Sequence, residues 1–218
     1  MGNLAARRIR TKADLRAGVA ALVGACPHLA RVHAVAGAPP LRRRPAGFKG
    51  LARIIVGQQL SVASAAAIWA RLEARVQPFT AQELLTVPDR DLRAAGLSRV
   101  KIATLRGLAH ALDDGTLDLD ALTHAPDEII HAELTALKGI GPWTADIYIL
   151  FCLARADAWS PGDLALQYAV RDALVLDARP GLDEMVAIAE AWRPWRSVAA
   201  RLLWAYYGVQ RRSLRAPT

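Results

Sequence analysis

Apolar residues recur at helical spacing along almost the whole chain, and this periodicity limits the possible folds more than any other feature. Residues that cap or break helices separate the periodic segments, and no clear alternation of apolar and polar residues predicts a strand. The sequence therefore predicts an all-α protein. Of its 218 residues, 53% are hydrophobic, enough for one substantial core or two small lobes around a cleft.

Several helix boundaries can be located from capping chemistry. Residues that suit a helix cap or a first helical turn are Thr11, Ser61, Thr80, Pro88, Ser98 and Pro126. The first helix should end near Gly24, and the apolar helix after residues 137–146 should extend to about Ala156. Residues 39–47 should form a loop. We expect one helical domain over residues 1–218, with two lobes as the alternative; its N-terminal helical segment should span 1–45.

The chain is strongly basic. It has 28 Lys and Arg against 20 Asp and Glu, a net charge of +8 and a pI of about 10.2. This balance favours a polyanionic partner such as nucleic acid, although a basic protein without such a partner is also compatible with it.

Metal sites and disulfide frameworks are not indicated. Cys26 and Cys152 form no CxxC pair, which argues against an iron–sulfur cluster and fits a reducing cytosol, and the five histidines lack the spacing of zinc ligands. The basic N-terminus is not followed by a secretory apolar core, and no apolar run approaches the ~18 residues of a membrane span. We expect a cytoplasmic protein.

A glycine turn separates two helical patterns within LKGIGPWTAD at 137–146. Gly139 and Gly141 flank the apolar Ile140, so the backbone can turn sharply and expose successive amides at a helix N-terminus, which suits a phosphate. Pro142 fits the first helical position, and Thr144 adds a hydroxyl beside the amides. An ordinary interhelical turn would show the same pattern.

A carboxylate follows a second turn in SPGD at 160–163. Pro161 and Gly162 force the turn, and Asp163 should lie at a helix N-terminus, where it could project into a cleft or simply cap the helix. The competing carboxylates Asp146, Asp157 and Asp172 lie within helical patterns or at a helix end.

LKGIGPWTAD, with SPGD at the expected distance, resembles the helix-hairpin-helix DNA glycosylases, and within them the AlkA-like 3-methyladenine DNA glycosylase II branch. Further matches are FKGLARIIVGQQLSVASAAAIW at 48–69, GLSRVKIATL at 96–105 and AEAWRPWRSVAARLLWAYYG at 189–208. The resemblance covers roughly residues 45–210, with the helix-hairpin-helix at 135–156. It implies two helical lobes around an active-site cleft.

The resemblance implies a DNA base-excision enzyme that releases alkylated purines such as 3-methyladenine and 7-methylguanine from duplex DNA. Asp163 would be the catalytic carboxylate. Bifunctional relatives carry a lysine nucleophile in the hairpin helix, but Trp143 occupies that position here, and neither Lys101 nor Lys138 matches it. We therefore expect a monofunctional hydrolase. A bifunctional glycosylase/lyase and a non-catalytic helix-hairpin-helix DNA-binding module are the alternatives.

The resemblance also assigns the remaining site residues. The base pocket would be lined by Trp143, Ile147 and Trp204, and Ile147 stands where the branch often has an aromatic residue. The DNA contacts would come from Gln59, Leu60, Gly139, Gly141 and Thr144. Gln59 matches the intercalating wedge, with Gln58 and Leu60 as nearby alternatives, although the amides of GQQLS could instead cap backbone groups.

No cofactor is required by this assignment. The carbonyls of Thr135, Leu137 and Ile140 would hold a structural monovalent cation, Na⁺ or K⁺. The partner would be damaged double-stranded DNA, bound by a monomer that associates with the nucleoid. Some relatives carry an N-terminal α/β domain, and we expect this domain to be absent because the segment before Phe48 is short. Trp192 and Trp195, in WRPW, should pack in the core.

Overall fold

The structure is a computed structural model that describes residues 7–213. Its helices are α1 Lys12–Ala25, α2 Pro27–Ala36, α3 Phe48–Gly57, α4 Val62–Arg75, α5 Ala81–Thr86, α6 Asp89–Ala94, α7 Arg99–Asp113, α8 Leu119–Leu122, α9 Asp127–Thr135, α10 Pro142–Phe151, α11 Leu164–Leu174, α12 Leu182–Glu190 and α13 Arg196–Ser213. The described residues contain no strand, only an isolated antiparallel bridge between Arg8 and Arg155. The all-α prediction is confirmed.

The predicted caps begin these helices through the expected hydrogen bonds. The Thr11 hydroxyl accepts from the Asp14 amide while the Asp14 carboxylate accepts from the Thr11 amide, which completes a capping box. The side chains of Ser61, Thr80 and Ser98 likewise accept from the amide three residues later. Pro88 and Pro126 occupy cap positions.

The prediction that the apolar helix reaches Ala156 is wrong, because α10 ends at Phe151. The amides of Cys152 and Leu153 both turn back to the Tyr148 carbonyl, and Ala154 has a left-handed φ of 57°. Residues 154–156 instead pair with residues 7–9 through backbone hydrogen bonds. The apolar side chains of this segment are buried although its backbone is not helical. The pattern of apolar residues in the sequence therefore suggested a longer helix.

The contacts divide the chain into two compact units. Unit 1 comprises Met1–Arg43 and Ala154–Thr218, and unit 2 comprises Arg44–Leu153. In unit 1, α13 packs against α1, α2 and α11. In unit 2, α3 packs against α4, α7 and α10. The prediction of a single domain is not tested by this division.

Helix α3 forms the centre of unit 2. Leu51 and Ile55 have no exposed surface and Ile54 has 1%, and burying each such side chain contributes about 1.5–3 kcal/mol. The hydroxyl of the buried Tyr148 on α10 accepts a hydrogen bond of 2.9 Å from the amide of Gly47, the residue just before α3. Burial raises the pKa of Tyr148 to about 12, so the phenol stays protonated.

Gly50 allows α3 to approach the segment before it. A Cβ at this position would overlap the Pro45 carbonyl oxygen and lie 2.9 Å from Cys152 Sγ. Burial also raises the pKa of the Cys152 thiol to about 12, which keeps this neighbour protonated and unreactive.

No helix among residues 7–213 combines the length and apolar character needed to cross a membrane.

Replacing Gly50 by Ala should therefore destabilise the protein by about 1–3 kcal/mol, because the backbone of residue 45 cannot move as a flexible side chain could. The matched control is Gly107→Ala in α7, where an added Cβ meets nothing within 4 Å. That change should stabilise the protein by up to about 1 kcal/mol through helix propensity. Urea unfolding would measure both, and equal effects would contradict the packing around Gly50.

Candidate active site and DNA-binding hairpin

Asp163 is a buried carboxylate at the N-terminus of α11. Its side chain is 8% exposed, and the turn that precedes it closes through a hydrogen bond of 3.2 Å from the Asp163 amide to the Ser160 carbonyl. Oδ1 accepts from the Leu166 amide at 2.9 Å and from the Trp204 indole Nε1 at 3.0 Å. Asp163 is thus a helix cap, and the same oxygen also binds a side chain of α13.

Gln167 holds the turn that carries Asp163. Its side-chain Nε2 donates to the Pro161 carbonyl at 2.9 Å, and its Oε1 accepts from Arg179 Nη1 at 3.0 Å. Gln167 is 8% exposed, so these bonds lie in a partly dry environment, where hydrogen bonds are stronger. Gln167 therefore fixes the turn, while the Leu166 amide and the Trp204 indole fix the carboxylate itself. A catalytic group requires such rigid positioning.

The three competing carboxylates all lie beside cationic or basic side chains. Asp157 is bound by Arg193 and Arg196, Asp172 is bound by Arg171, and Asp146 lies 3.6 Å from His131. Their partners give each of them a structural explanation. The donors to Asp163 include a helix N-terminal amide and an indole of the predicted base pocket, which links this carboxylate to the other predicted site residues.

The hairpin between α9 and α10 turns at Gly139, whose φ is 90°. A side chain at this position would be strained and would also collide with the Thr104 hydroxyl of α7. Ile140 is 3% exposed and anchors the turn, whereas Gly139 and Gly141 are exposed. Neither glycine amide donates a hydrogen bond to another residue of the described part of the chain. Two amides are thus available to an anion at the start of α10.

Thr144 lies inside unit 2 and anchors the hairpin. It is 2% exposed, its amide donates to the Gly141 carbonyl at 2.9 Å, and its hydroxyl accepts from Gln58 Nε2 at 2.9 Å. The amide and the hydroxyl of Thr144 thus both have hydrogen-bond partners within the protein. Direct contact between Thr144 and a phosphate stays a prediction. The same Gln58 nitrogen also donates to the Gly139 carbonyl at 3.2 Å.

The GQQLS segment therefore forms a turn fixed to the hairpin. Lys101 Nζ donates to the carbonyls of Val56 at 2.7 Å and Gln58 at 2.9 Å, which satisfies the C-terminus of α3. Gln59 then adopts a left-handed φ of 55° and is exposed, and Leu60 is 39% exposed. Gln58 serves the capping role considered above, while Gln59 and Leu60 point away from the core.

The predicted base-pocket residues lie in both units. Trp143 and Ile147 are one turn apart on α10 of unit 2, and Ile147 is only 4% exposed, so it offers little surface to a ligand. Trp204 on α13 of unit 1 is half-buried beside Asp163. A shared pocket stays a prediction.

The two tryptophans of WRPW were expected in the core. Trp192 is 2% exposed, as predicted, and Trp195 is half-buried against Gly18.

The carbonyls proposed for a cation lie at the end of α9 and in the hairpin. Thr135 is the last residue of α9, and the Leu137 carbonyl accepts from the Ile140 amide at 3.0 Å, which leaves its second lone pair. Neutral carbonyl oxygens suit a hard monovalent cation, so this donor set fits the predicted Na⁺ or K⁺. Among residues 7–213, no cluster of three or more His, Cys, Asp or Glu could hold a metal.

The sequence analysis did not assign the contacts of four residues that hold the site in place, although it left open that the amides of GQQLS cap backbone groups. Gln58, Lys101, Gln167 and Arg179 bind backbone carbonyls or each other, and such roles leave no local pattern. The presence of Gln58 and Lys101 within the matched motifs was the only available signal.

Replacing Gln58 by Leu should lower the free energy of unfolding by about 1–3 kcal/mol, because the Gly139 carbonyl and Thr144 hydroxyl each lose a donor. Amide hydrogen exchange at residues 139–145 should also become faster. Gln82→Leu is the control, since that exposed side chain donates its hydrogen bond to the exposed Asp113, and its loss should change stability by less than about 0.5 kcal/mol. Unchanged exchange in the hairpin would disprove the anchoring role of Gln58.

Comparison with known proteins identifies the family. Residues 52–195 match the model of the HhH-GPD superfamily base excision DNA repair proteins. DNA-3-methyladenine glycosylase 1 of Schizosaccharomyces pombe is 30% identical over 162 residues, which cover 72% of this chain and 71% of that protein. DNA-3-methyladenine glycosylase 2 of Escherichia coli is 30% identical, with 75% of this chain and 58% of that protein covered.

Solved structures agree with the sequence relatives. A DNA-3-methyladenine glycosidase from Bacillus halodurans has a TM-score of 0.76 and 32% identity, with 94% of both chains covered. The Schizosaccharomyces pombe 3-methyladenine DNA glycosylase in complex with abasic DNA has a TM-score of 0.77 and 26% identity, covering 86% of this chain and 95% of that one.

Some relatives are longer than this chain. The Bacillus subtilis protein YfjP is 35% identical over 115 residues, which are 53% of this chain and 40% of the relative. The match over residues 52–195 nevertheless includes both the hairpin and the SPGD turn. The chain therefore belongs to the HhH-GPD superfamily of base excision DNA repair proteins.

Proposed function

We propose that this protein is a monofunctional DNA glycosylase that hydrolyses the N-glycosidic bond of alkylated purines in duplex DNA. The observation that carries the proposal is the buried Asp163 carboxylate, held by the Leu166 amide and the Trp204 indole in a member of a base excision repair family. Relatives from yeast and bacteria are named DNA-3-methyladenine glycosylases, which supports 3-methyladenine as a substrate, and 7-methylguanine is proposed from the resemblance of the motifs alone.

The proposed reaction breaks the bond between the sugar C1′ and the base nitrogen, and the bonding electron pair leaves with the base. Positive charge develops on the deoxyribose, where a fixed carboxylate stabilises the oxocarbenium-like state. Water then attacks C1′ and passes a proton to Asp163, so that the products are a free base and an abasic site. Because Asp163 is already held in place, little reorganisation of the carboxylate is needed during the reaction.

Recognition of the base is assigned to aromatic surfaces. A methylated purine such as 3-methyladenine carries positive charge, and the faces of Trp143 and Trp204 attract a cation more strongly than a neutral base. Trp204 would serve twice, since its ring faces the base while its indole N–H binds the catalytic carboxylate. Ile147, which is nearly buried, would contribute shape rather than stacking.

The proposal excludes a lysine nucleophile. Burial lowers the pKa of Lys101, as it does in lysines that form Schiff bases, but its ammonium donates to two backbone carbonyls and ties α3 to the GQQLS turn. Lys138 is exposed before the hairpin turn, and the hairpin-helix position that would hold the nucleophile is Trp143. The product strand should therefore carry an intact abasic site.

Duplex DNA is the proposed partner. The amides of Gly139 and Gly141 would bind phosphate at the N-terminus of α10, and a cation on the Thr135, Leu137 and Ile140 carbonyls would rigidify that turn and add local positive charge. We propose that one chain acts on one lesion as a monomer, in the compartment that contains the DNA. The net charge of +8 would strengthen the encounter.

Replacing Asp163 by Asn should lower the single-turnover rate of base release by at least about 100-fold. Asn also caps helices well, so the change removes the charge while keeping the start of α11. The measurement is release of 3-methyladenine or 7-methylguanine from methylated duplex, with strand breaks appearing only after alkali. Asp118→Asn, at another aspartate cap, is the control and should keep wild-type activity. Near-normal turnover by the Asp163 variant would reject the mechanism. A wild-type protein that binds DNA without releasing any base would instead favour a non-catalytic DNA-binding module.

If Gln59 is the wedge, Gln59→Ala should slow excision of a paired lesion about tenfold more than excision of the same lesion in a mismatch. The reason is that a mismatched base costs less to unstack and unpair, so it depends less on a side chain that fills the gap. Single-turnover excision from the two duplexes measures the difference, with Leu60→Ala tested in parallel. A larger selective effect at Leu60 would transfer the wedge role to that neighbour.

A further inference from the structure

Two tyrosines and three arginines form a cluster on unit 1 that the proposed chemistry does not use. Tyr168 of α11 and Tyr207 of α13 stack with ring centroids 6.4 Å apart and an interplanar angle of 18°. The guanidinium groups of Arg171 and Arg179 lie 5.3 Å and 5.6 Å from the Tyr168 ring, and that of Arg211 lies 5.6 Å from the Tyr207 ring. We call these five residues the Tyr–Arg cluster.

The cluster carries positive charge that the protein does not neutralise. Arg171 is paired with Asp172, whereas Arg179 donates to the neutral Gln167 and Arg211 donates to the Tyr207 hydroxyl. Within residues 7–213, no carboxylate lies within 4 Å of Arg179 or Arg211. Both arginines are exposed at the surface. The charges of Arg179 and Arg211 would therefore attract an anionic ligand to this surface.

The geometry favours phosphate over a nucleobase as the ligand. Each tyrosine ring already has the other ring and at least one guanidinium as neighbours, so a base that stacked on either ring would compete with them. The guanidinium edges keep N–H donors, and their planar fork matches two oxygens of one phosphate. The rings therefore orient the arginines, and the arginines are the groups that would contact the ligand.

The position of the cluster along α11 indicates which phosphates would be reached. Asp163 immediately precedes α11, and Tyr168 follows it by five residues, which corresponds to about 7.5 Å along a helix axis. Successive nucleotides of one DNA strand rise by about 3.4 Å. A strand that runs alongside α11 from a damaged nucleotide at Asp163 would thus have phosphates one or two nucleotides away near the cluster. Gln167 joins the two regions, because it binds both Pro161 and Arg179.

We infer that the Tyr–Arg cluster binds the phosphodiester backbone of the damaged DNA strand, one or two nucleotides from the lesion. This inference rests on the proposed function for the location of the lesion at Asp163. It adds a second strand contact, formed by α11 and α13, to the contact made by the hairpin amides of unit 2. Its effect is to hold the strand beside the carboxylate through charges outside the base pocket.

Salt dependence of binding tests the cluster without requiring excision. The probe is a duplex with a central tetrahydrofuran abasic analogue, and the variants are Arg179→Gln, Arg211→Gln and their combination in the full chain. Each substitution should reduce the slope of log Kd against log salt by about 0.9, which corresponds to about fivefold weaker binding at 0.15 M salt. Arg16→Gln, an exposed arginine of α1 outside the cluster, is the control and should leave the slope unchanged.

Neutral methylphosphonate linkages identify the phosphate. Placed one or two nucleotides from the analogue, such a linkage should weaken wild-type binding but add little to the loss already caused by Arg211→Gln, a variant that leaves the Gln167 bonds intact. Fully additive losses, or unchanged salt slopes in both arginine variants, would overturn the inference while leaving the proposed function standing. A wild-type chain that fails to bind the duplex would overturn both.

Discussion

The hydrogen bonds to Asp163 Oδ1 connect the folding of unit 1 to its chemistry. One oxygen accepts from the amide that starts α11 and from an indole of α13, so the same atom caps a helix and joins two packed helices. A carboxylate held this way cannot rotate away without breaking the cap. The helix cap and the proposed catalytic carboxylate, which are competing interpretations of the sequence, are therefore compatible roles of one side chain.

A second set of hydrogen bonds gives unit 2 an equivalent rigidity. Gln58 joins the GQQLS turn to the hairpin through Gly139 and Thr144, and Lys101 closes the C-terminus of α3 beneath the same turn. The exposed residue Gln59 consequently follows a residue that is hydrogen-bonded to the hairpin whose amides are proposed to bind phosphate. In the proposed enzyme, this link would couple the binding of the DNA phosphates by the hairpin to the insertion of Gln59 into the base stack.

Features that depend on short-range interactions were predicted correctly from the sequence, whereas features that depend on contacts between distant residues were not. Caps at Thr11, Ser61 and Ser98 depend on atoms three residues apart, and each helix began where local chemistry placed it. The end of α10 was misplaced because residues 154–156 are buried by pairing with residues 7–9, and apolar character alone does not distinguish that burial from helical burial. Gln167 and Arg179 were missed because their hydrogen-bond partners lie six and twelve residues away and leave no local pattern.

The sequence by itself determined the all-α class, most helix starts, the glycine turn and the SPGD carboxylate, because short-range sterics and hydrogen bonding specify these features. The tertiary structure alone decided which carboxylate lies beside the Trp204 indole, which glutamine anchors the hairpin, and where exposed arginines gather around stacked tyrosines. Each of these depends on packing between helices distant along the chain, and a side chain's partner across such a contact is set by three-dimensional position rather than by neighbouring residues.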